Sequence, residues 1–496
     1  MRNVRSQFVG LFLFLGALTM VLTNGFWPRI HADAQEDLVR QIEPIGVVLD
    51  EIMRNYVETP DTDKVVEGAL TGMMNALDDH SSFVPPTVYR ELREETEGKF
   101  DGIGIQIKLD AEKNIVVFTP MPGSPAAKAG VLAGDIIVAI NGIDTKGMST
   151  EDAKDNIRGE SGTVVTLKVF RPGKDGAAGE YKEIAVTRGK VPVPSLLESR
   201  VLDGGIGYIR ISDFKQTTAR DLAEKLKELE EKGMRSLILD LRWNPGGLLS
   251  SSEEVASLFL KKNTLVTYTK GRKHDDGSVQ DEMTLYTQRE PVVPDDYPMI
   301  VLVNEVTASS SEIVTGALQF HKRALIVGAK TFGKGSVQTI IPLRTPKNSA
   351  LRLTTALYYT PADVTINKHG ILPDVDVPFD RELWMPILEQ FGKSWENDIT
   401  KQDAQNHGAV TGDVKTDATI EDVQLAKAVE ILREEGNFQN LLNKYHKDTK
   451  ITQVAAADPS PSTPREEGPV QEASAAAPGQ EAPVETPTPL VPGAAQ

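Results

Sequence analysis

Three short segments carry residue types able to do chemistry. In the first, the apolar run Met299-Ile300-Val301-Leu302-Val303 passes through Asn304-Glu305-Val306-Thr307-Ala308 into Ser309-Ser310-Ser311-Glu312-Ile313. Ile313, Leu318 and Phe320 predict a helix that starts at the serines. Unpaired backbone N–H groups face outward at a helix start. A nucleophilic serine placed there would find an oxyanion donor in the next amide. Serines also cap helices, so this segment alone leaves catalysis and capping both open.

The second segment, Gly328-Ala329-Lys330-Thr331-Phe332-Gly333-Lys334-Gly335-Ser336-Val337-Gln338, follows an expected strand over Ala324–Val327. It approaches a phosphate loop but departs from one twice. Gly335 stands where the magnesium-binding hydroxyl belongs, and Val337, Thr339 and Ile341 alternate as a strand ending at Pro342 where such a loop must open a helix. Nucleotide binding is therefore set aside. The third segment, Leu237-Ile238-Leu239-Asp240-Leu241-Arg242-Trp243-Asn244-Pro245-Gly246-Gly247, is a buried strand running into a turn. Its two glycines permit positive φ and close backbone approach. That turn could supply a second oxyanion donor or be a plain turn before a helix.

The elements that must hold these segments follow an α/β pattern. Strands expected at Ile206–Ile211, Ser236–Leu241, Met299–Val303 and Ala324–Val327 alternate with helical stretches, as in a layered α/β core. Before them, residues from about Phe100 read as short strands, including Ile103–Ile107, Ile115–Phe118, Asp135–Ile140 and Val164–Phe170. Asn141-Gly142 marks a tight turn, and helices are expected at Ser124–Gly130 and Thr150–Ile157. Nearer the N-terminus, Leu38, Ile42, Ile45, Leu49, Ile52 and Tyr56 keep helical spacing, followed by a second helix with Val66, Leu70, Met73 and Leu77. This pair either packs on its own chain or forms a dimer surface. Ile420–Leu432 reads as another helix. Beyond Ala455 the chain is rich in Pro, Ala, Glu, Ser and Thr, a composition that cannot offset its ordering entropy.

Bulk properties narrow the class. The 496 residues suffice for roughly three domains. A net charge of -17 argues against a nucleic-acid partner. With 0 cysteines, thiol catalysis, disulfides, Cys-based zinc sites and a lipoprotein anchor are excluded. Arg2 and Arg5 precede the apolar stretch Phe8–Leu22, and Ala32-Asp33-Ala34 offers small residues for cleavage, the pattern of a secretory signal. Phe8–Trp27 is also long enough for an uncleaved anchor. Export is expected, with release or anchoring left open.

Taken together, the three segments resemble the carboxyl-terminal processing, or tail-specific, serine peptidases. The family's Ser-Ala-Ser-Glu-Ile turn is matched by Ser309-Ser310-Ser311-Glu312-Ile313, its Phe-Gly-Lys-Gly-x-Val-Gln stretch by Phe332–Gln338, and its Asp-Leu-Arg-x-Asn-x-Gly-Gly turn by Asp240–Gly247. The nucleophile-to-base spacing (334 − 309 = 25) is that of the family. Tyr358-Tyr359-Thr360-Pro361, His369-Gly370-Ile371-Leu372-Pro373-Asp374 and Asp422-Val423-Gln424-Leu425 look like further family signatures. Ala362-Asp363-Val364 departs from the Gly and Arg common after that Thr-Pro.

The resemblance implies an α/β fold: a crotonase-like protease core with an inserted PDZ domain and helical N- and C-terminal segments. The expected division is 1–34 signal or anchor, 35–95 helical, 96–187 PDZ, 188–385 protease core, 386–454 helical and 455–496 tail. It implies Ser309 as nucleophile, Lys334 as neutral base and Gln338 holding the Lys334 amine without adding charge. Oxyanion donors would be the N–H of Ser310 and of Gly246 or Gly247. Gly102-Ile103-Gly104-Ile105 would receive a free C-terminal carboxylate, with apolar tails of exported or membrane proteins as substrates. No cofactor or metal is required, and a homodimer is a further implied possibility.

His321, twelve residues past Ser309, is read as a helix-end residue and not a triad base, and Ser311 lacks the family spacing to Lys334. A trypsin-like reading lacks its Gly-Asn-Ser-Gly-Gly segment. A PDZ adaptor with a dead core remains the alternative of another class.

Overall fold

The computed structural model describes residues 28–121, 123–173, 178–274, 278–279, 282–388, 390, 420–434 and 438–446. The apolar N-terminal stretch and the tail after Ala455 lie outside these residues. Among the described residues, no helix is long and apolar enough to cross a membrane.

The core is a six-stranded sheet in the order Leu196–Leu202, Ile206–Ile211, Ser236–Asp240, Met299–Val303, Leu325–Gly328 and Val375–Asp376. The first strand is antiparallel and the rest run parallel. Parallel strands are covered on both faces and so read as unbroken apolar runs. Every residue of Ser236–Asp240 and of Met299–Val303 is buried accordingly. Leu222, Leu226, Val255, Ile313 and Leu318, from three helices, pack against Leu237, Leu239 and Val301 on one face. Ala428, Ile431, Leu441 and Leu442, from the C-terminal helices, cover Ile238, Ile300 and Leu325 on the other.

A buried charge cluster ties those C-terminal helices to the sheet. Arg242, fully buried, donates to Asp240 and Asp422 at 2.7 Å each and to Gln424 at 3.2 Å. Gln424 in turn donates to the Val377 carbonyl at 2.7 Å. A buried guanidinium needs such partners on all sides, which explains the Asp422-Val423-Gln424-Leu425 segment in structural terms.

Residues 105–187 form a separate six-stranded antiparallel sheet, order Ile105–Leu109, Ile115–Pro120, Ile136–Ile140, Val164–Arg171 and Glu180–Thr187, with Ile143–Asp144 pairing Ile136–Ile140. Asn141 and Gly142 take φ of 49° and 81° in the expected tight turn. Ile115, Val117, Ile137, Val165, Leu167 and the Ile157 end of helix Thr150–Ile157 fill its own core. A third sheet joins Ser82–Val84, Ala350–Tyr359, Leu265–Gly271 and Met283–Tyr286, with Ser336–Pro342 on the other side of Ala350–Tyr359.

The N-terminal helix Pro28–Asn55 leaves Ile42, Ile45, Val48 and Met53 exposed. Its apolar stripe is not covered by the described parts of its own chain.

Candidate active site

Three adjacent strands of the parallel sheet deliver the three segments to one place. Ser236–Asp240 leads to the Gly246-Gly247 turn, Met299–Val303 to Ser309, and Leu325–Gly328 to Lys334. The crevice beyond the carboxyl ends of parallel strands is where open α/β sheets bind ligands.

Ser309 precedes helix Ser310–Phe320 with φ 55° and ψ −118°, a backbone state costly for a residue with a Cβ. It is half-buried, whereas Ser310 and Ser311 are buried. Their hydroxyls are spent on the backbone: Ser310 Oγ donates to the Gly247 carbonyl at 3.0 Å and Ser311 Oγ to that of Asn244 at 3.1 Å. Ser311 is thereby a buried structural residue.

The strained turn is held by Glu312, a side chain to which the sequence reading assigned no role. Its carboxylate is fully buried and accepts the N–H of Ser309 at 2.9 Å, of Gly333 at 2.7 Å and of Lys334 at 2.9 Å, and the hydroxyl of Thr331 at 2.5 Å. Burial pushes its carboxyl above the usual range, against the pull of those hydrogen bonds. The signal was present in the sequence: an acidic residue three places after a helix-capping serine is the capping-box spacing.

The lysine loop is cradled from behind. An added Cβ on Gly333 would lie 3.0 Å from the His369 nitrogen, and one on Gly335 would lie 2.4 Å from the Asn367 nitrogen. The Gly333 carbonyl accepts the N–H of Lys368 at 2.7 Å, and Thr331 Oγ1 accepts that of Ile371 at 2.6 Å. Tyr358, buried on the neighbouring strand, donates its hydroxyl to the Lys334 carbonyl. Burial, and then the Arg352 guanidinium, lower the Lys334 amine below its ordinary value, opposed by Glu312.

Gln338 lies on strand Ser336–Pro342, and its Nε2 donates to Ser336 Oγ at 2.8 Å and Thr354 Oγ1 at 3.4 Å. No hydrogen bond joins Gln338 to Lys334, nor Ser309 to Lys334, among the described residues. Catalytic hydrogen bonds are often long in unliganded sites and tighten with substrate.

The glycine turn requires one correction. The Gly246 N–H donates to Asn244 Oδ1 at 2.9 Å, so it is not available to an oxyanion. Neither the Gly247 nor the Ser310 N–H has a hydrogen-bond partner among the described residues. The turn packs tightly on Ser309: a Cβ on Gly246 would sit 2.8 Å from Ser309 Cβ and 2.9 Å from the Ser310 nitrogen. His321 ends the helix, its Nε2 2.8 Å from the Leu265 carbonyl oxygen. No group of His, Asp and Glu fit to hold a metal occurs among the described residues.

Away from this site, Gly102, Ile103, Gly104 and Ile105 line an open groove of about 710 Å³ between strand Ile105–Leu109 and helix Thr150–Ile157. Gly104 has φ 73°, and Ile103 is buried. The strand pairs on one side only among the described residues. Lys108, Lys154 and Arg158 also border the groove.

Comparison with known proteins agrees with this arrangement. Residues 205–377 match peptidase family S41 and residues 116–171 match the PDZ domain. A carboxy-terminal-processing protease of Bartonella bacilliformis is 37% identical over 439 residues, covering 85% of this chain and 94% of its own. A carboxyl-terminal-processing protease of Picosynechococcus is 38% identical over 314 residues, covering 62% of this chain and 72% of its own. The carboxy-terminal processing protease CtpA of Bacillus subtilis is 30% identical over 440 residues, covering 80% and 91%. With a serine turn, a lysine loop and a glycine turn gathered at the carboxyl edge of an α/β sheet, and a PDZ domain placed before them, this chain belongs to peptidase family S41, the carboxyl-terminal-processing serine peptidases.

Proposed function

We propose that this peptidase captures the free C-terminal tail of a protein in its PDZ groove and cleaves the substrate with Ser309 as nucleophile and Lys334 as general base. The single observation that carries the reading is the shared anchorage of the Ser309 and Lys334 main-chain nitrogens on one oxygen of Glu312. A common buried carboxylate fixes the two loops relative to each other, which supports a joint role for their side chains.

Neutral Lys334 takes the Ser309 proton as Oγ attacks the scissile carbonyl. The resulting oxyanion is held by the N–H groups of Ser310 and Gly247. Lys334 then returns the proton to the leaving amine, and a water deprotonated by the same amine hydrolyses the acyl-enzyme. A lysine is a competent base only if its pKa falls toward working pH. Burial and Arg352 supply that direction here. Gln338 assists by accepting a hydrogen bond from the Lys334 amine.

In the groove, the open edge of Ile105–Leu109 suits an added peptide strand, with the Gly102–Ile105 turn at its carboxylate and an apolar terminal side chain toward Phe118 and Ile157. The N-terminal stretch Phe8–Leu22 is read as an export signal or anchor, placing substrates among exported and membrane proteins. The exposed stripe of helix Pro28–Asn55 suits pairing with a second copy of the chain.

The test compares wild type, Ser309→Ala and Lys334→Ala on an unfolded protein ending in apolar residues, with the C-terminus free or amidated. Loss of cleavage in both variants and with the amidated tail is the expected result. Normal cleavage by either variant overturns the dyad. Cleavage indifferent to amidation overturns tail recognition. Tail binding without cleavage by any form leaves a PDZ adaptor.

A further inference from the structure

Gln338 is anchored by a chain of hydrogen bonds that begins far away in the sequence. Thr354 lies directly opposite it on the neighbouring strand, so the two side chains share a face. Thr354 Oγ1 donates to Asp78 Oδ1 at 3.3 Å. The Asp78 carboxylate also takes the N–H of His80 and of Ser81, each at 2.8 Å, and the Ser81 hydroxyl at 3.0 Å. Ser81 Oγ completes the tie by accepting the Thr354 N–H at 3.1 Å. Immediately after it, strand Ser82–Val84 pairs with the same strand that carries Thr354.

We propose that Asp78 and Thr354 are positioning residues that fix which end of the Gln338 amide faces Lys334. This rests on the Ser309–Lys334–Gln338 reading above. An ionised carboxylate only accepts hydrogen bonds, and a threonine hydroxyl has one hydrogen to give. With that hydrogen on Asp78, Thr354 turns a lone pair toward Gln338, which must answer with its Nε2. Ser336 Oγ takes the second amide hydrogen, and the carbonyl oxygen is the end left for the lysine.

The polarity matters chemically. A glutamine oxygen accepts an N–H from the neutral amine and leaves the amine's lone pair for the Ser309 proton. After transfer the same oxygen holds the ammonium. A flipped amide would donate to that lone pair and block the base. Nothing in the shape of an amide distinguishes its two ends, so directional partners have to choose.

The experiment measures kcat and KM of full-length Thr354→Val, Thr354→Ser, Asp78→Asn, Gln338→Ala and the Thr354→Val/Gln338→Ala pair, with Tm for each. Thr354→Val keeps shape but removes the relay, and a fall of about 10-fold in kcat with KM within about 2-fold is expected. Thr354→Ser restores kcat, Asp78→Asn falls between, and the double variant is no slower than Gln338→Ala. A Thr354→Val enzyme with lowered Tm but wild-type kcat, or losses that multiply in the double variant, overturns the relay. Wild-type kcat in Gln338→Ala would instead overturn the assisting role of Gln338 and the relay with it.

Discussion

Glu312 Oε2 accepts the backbone N–H of Lys334 at 2.9 Å, and the same oxygen accepts that of Ser309 at 2.9 Å. One buried atom thus ties together the two loops that carry Ser309 and Lys334, the proposed nucleophile and base. An amide there would turn an NH2 group toward N–H donors. Glu312→Gln is expected to cost about 2–4 kcal/mol of stability, as hydrogen bonds to a charged acceptor are lost. It should lower kcat by roughly 100-fold, since small misplacements of reacting groups are expensive. Thermal unfolding and steady-state kinetics of the variant check both numbers.

The parts of this site that were legible from the sequence are those carried by local pattern. Apolar runs ending in Ser309, Lys334 and Gly247 located the carboxyl ends of three strands, and the glycines marked where backbone must approach closely. What was not legible depends on side chains meeting across the fold. By sequence Gly246 and Gly247 are equally able donors, yet Asn244 Oδ1 occupies the Gly246 N–H. Nothing in the local pattern around Gln338 points to its partner Thr354 or, through it, to Asp78, 276 residues from Thr354. Arg352 comes near enough to act on the Lys334 charge because Ala350–Tyr359 pairs with the strand that follows the lysine. The helical spacing of Ile42 and Ile45 was read correctly as a helix, yet no pattern in it says whether that face is covered.

The pH dependence of cleavage should report Lys334. Burial first, and Arg352 second, depress its amine below 10.5. Only the neutral amine takes a proton, so kcat/KM rises with pH on a limb whose midpoint lies below 10.5. Removing the Arg352 charge weakens the depression. Arg352→Gln should shift the limb to higher pH and lower the rate at pH 7 by roughly 3-fold or more, in proportion to the shift. A limb that stays in place would show that burial alone sets the base.

The same depression has a thermodynamic sign. In the unfolded chain Lys334 titrates near its ordinary 10.5 and in the folded chain below it. Between the two values the unfolded state binds more protons, so wild-type stability rises with pH through that window. Below it, the native state carries the full cost of a half-buried ammonium. Lys334→Met should therefore raise Tm at neutral pH by about a few degrees. The gain should shrink as pH approaches 10.5. Calorimetry at two pH values decides the matter, and a gain that grows with pH would contradict the sign.

Gly247 has φ 151°, and a Cβ there would lie 2.2 Å from the Phe214 carbonyl oxygen. Gly247→Ala must push the turn away from Phe214 and carry its unpaired N–H with it. Loss of one oxyanion donor costs about 100- to 1000-fold in kcat. KM should change far less, because the donor acts on the developing charge and not on the bound substrate. A proportional loss in KM alone would assign the turn to substrate binding.

The PDZ groove can be tested apart from chemistry. A Cβ on Gly104 would sit 2.5 Å from Ser124 Cβ, at a φ of 73° that alanine avoids. Gly104→Ala should therefore displace the turn expected at the tail carboxylate while leaving the active-site strands alone. Peptides ending in an apolar residue, followed by fluorescence anisotropy on the Ser309→Ala background, should bind about 10-fold more weakly with a free carboxylate. Amidated peptides should bind weakly to both forms and show no such loss. The comparison separates the carboxylate turn from the strand edge: an equal loss for free and amidated peptides would mean that Gly104 shapes the edge of Ile105–Leu109 for peptide pairing and leaves the carboxylate to another group, with Lys108 and Arg158 the cations already bordering the groove.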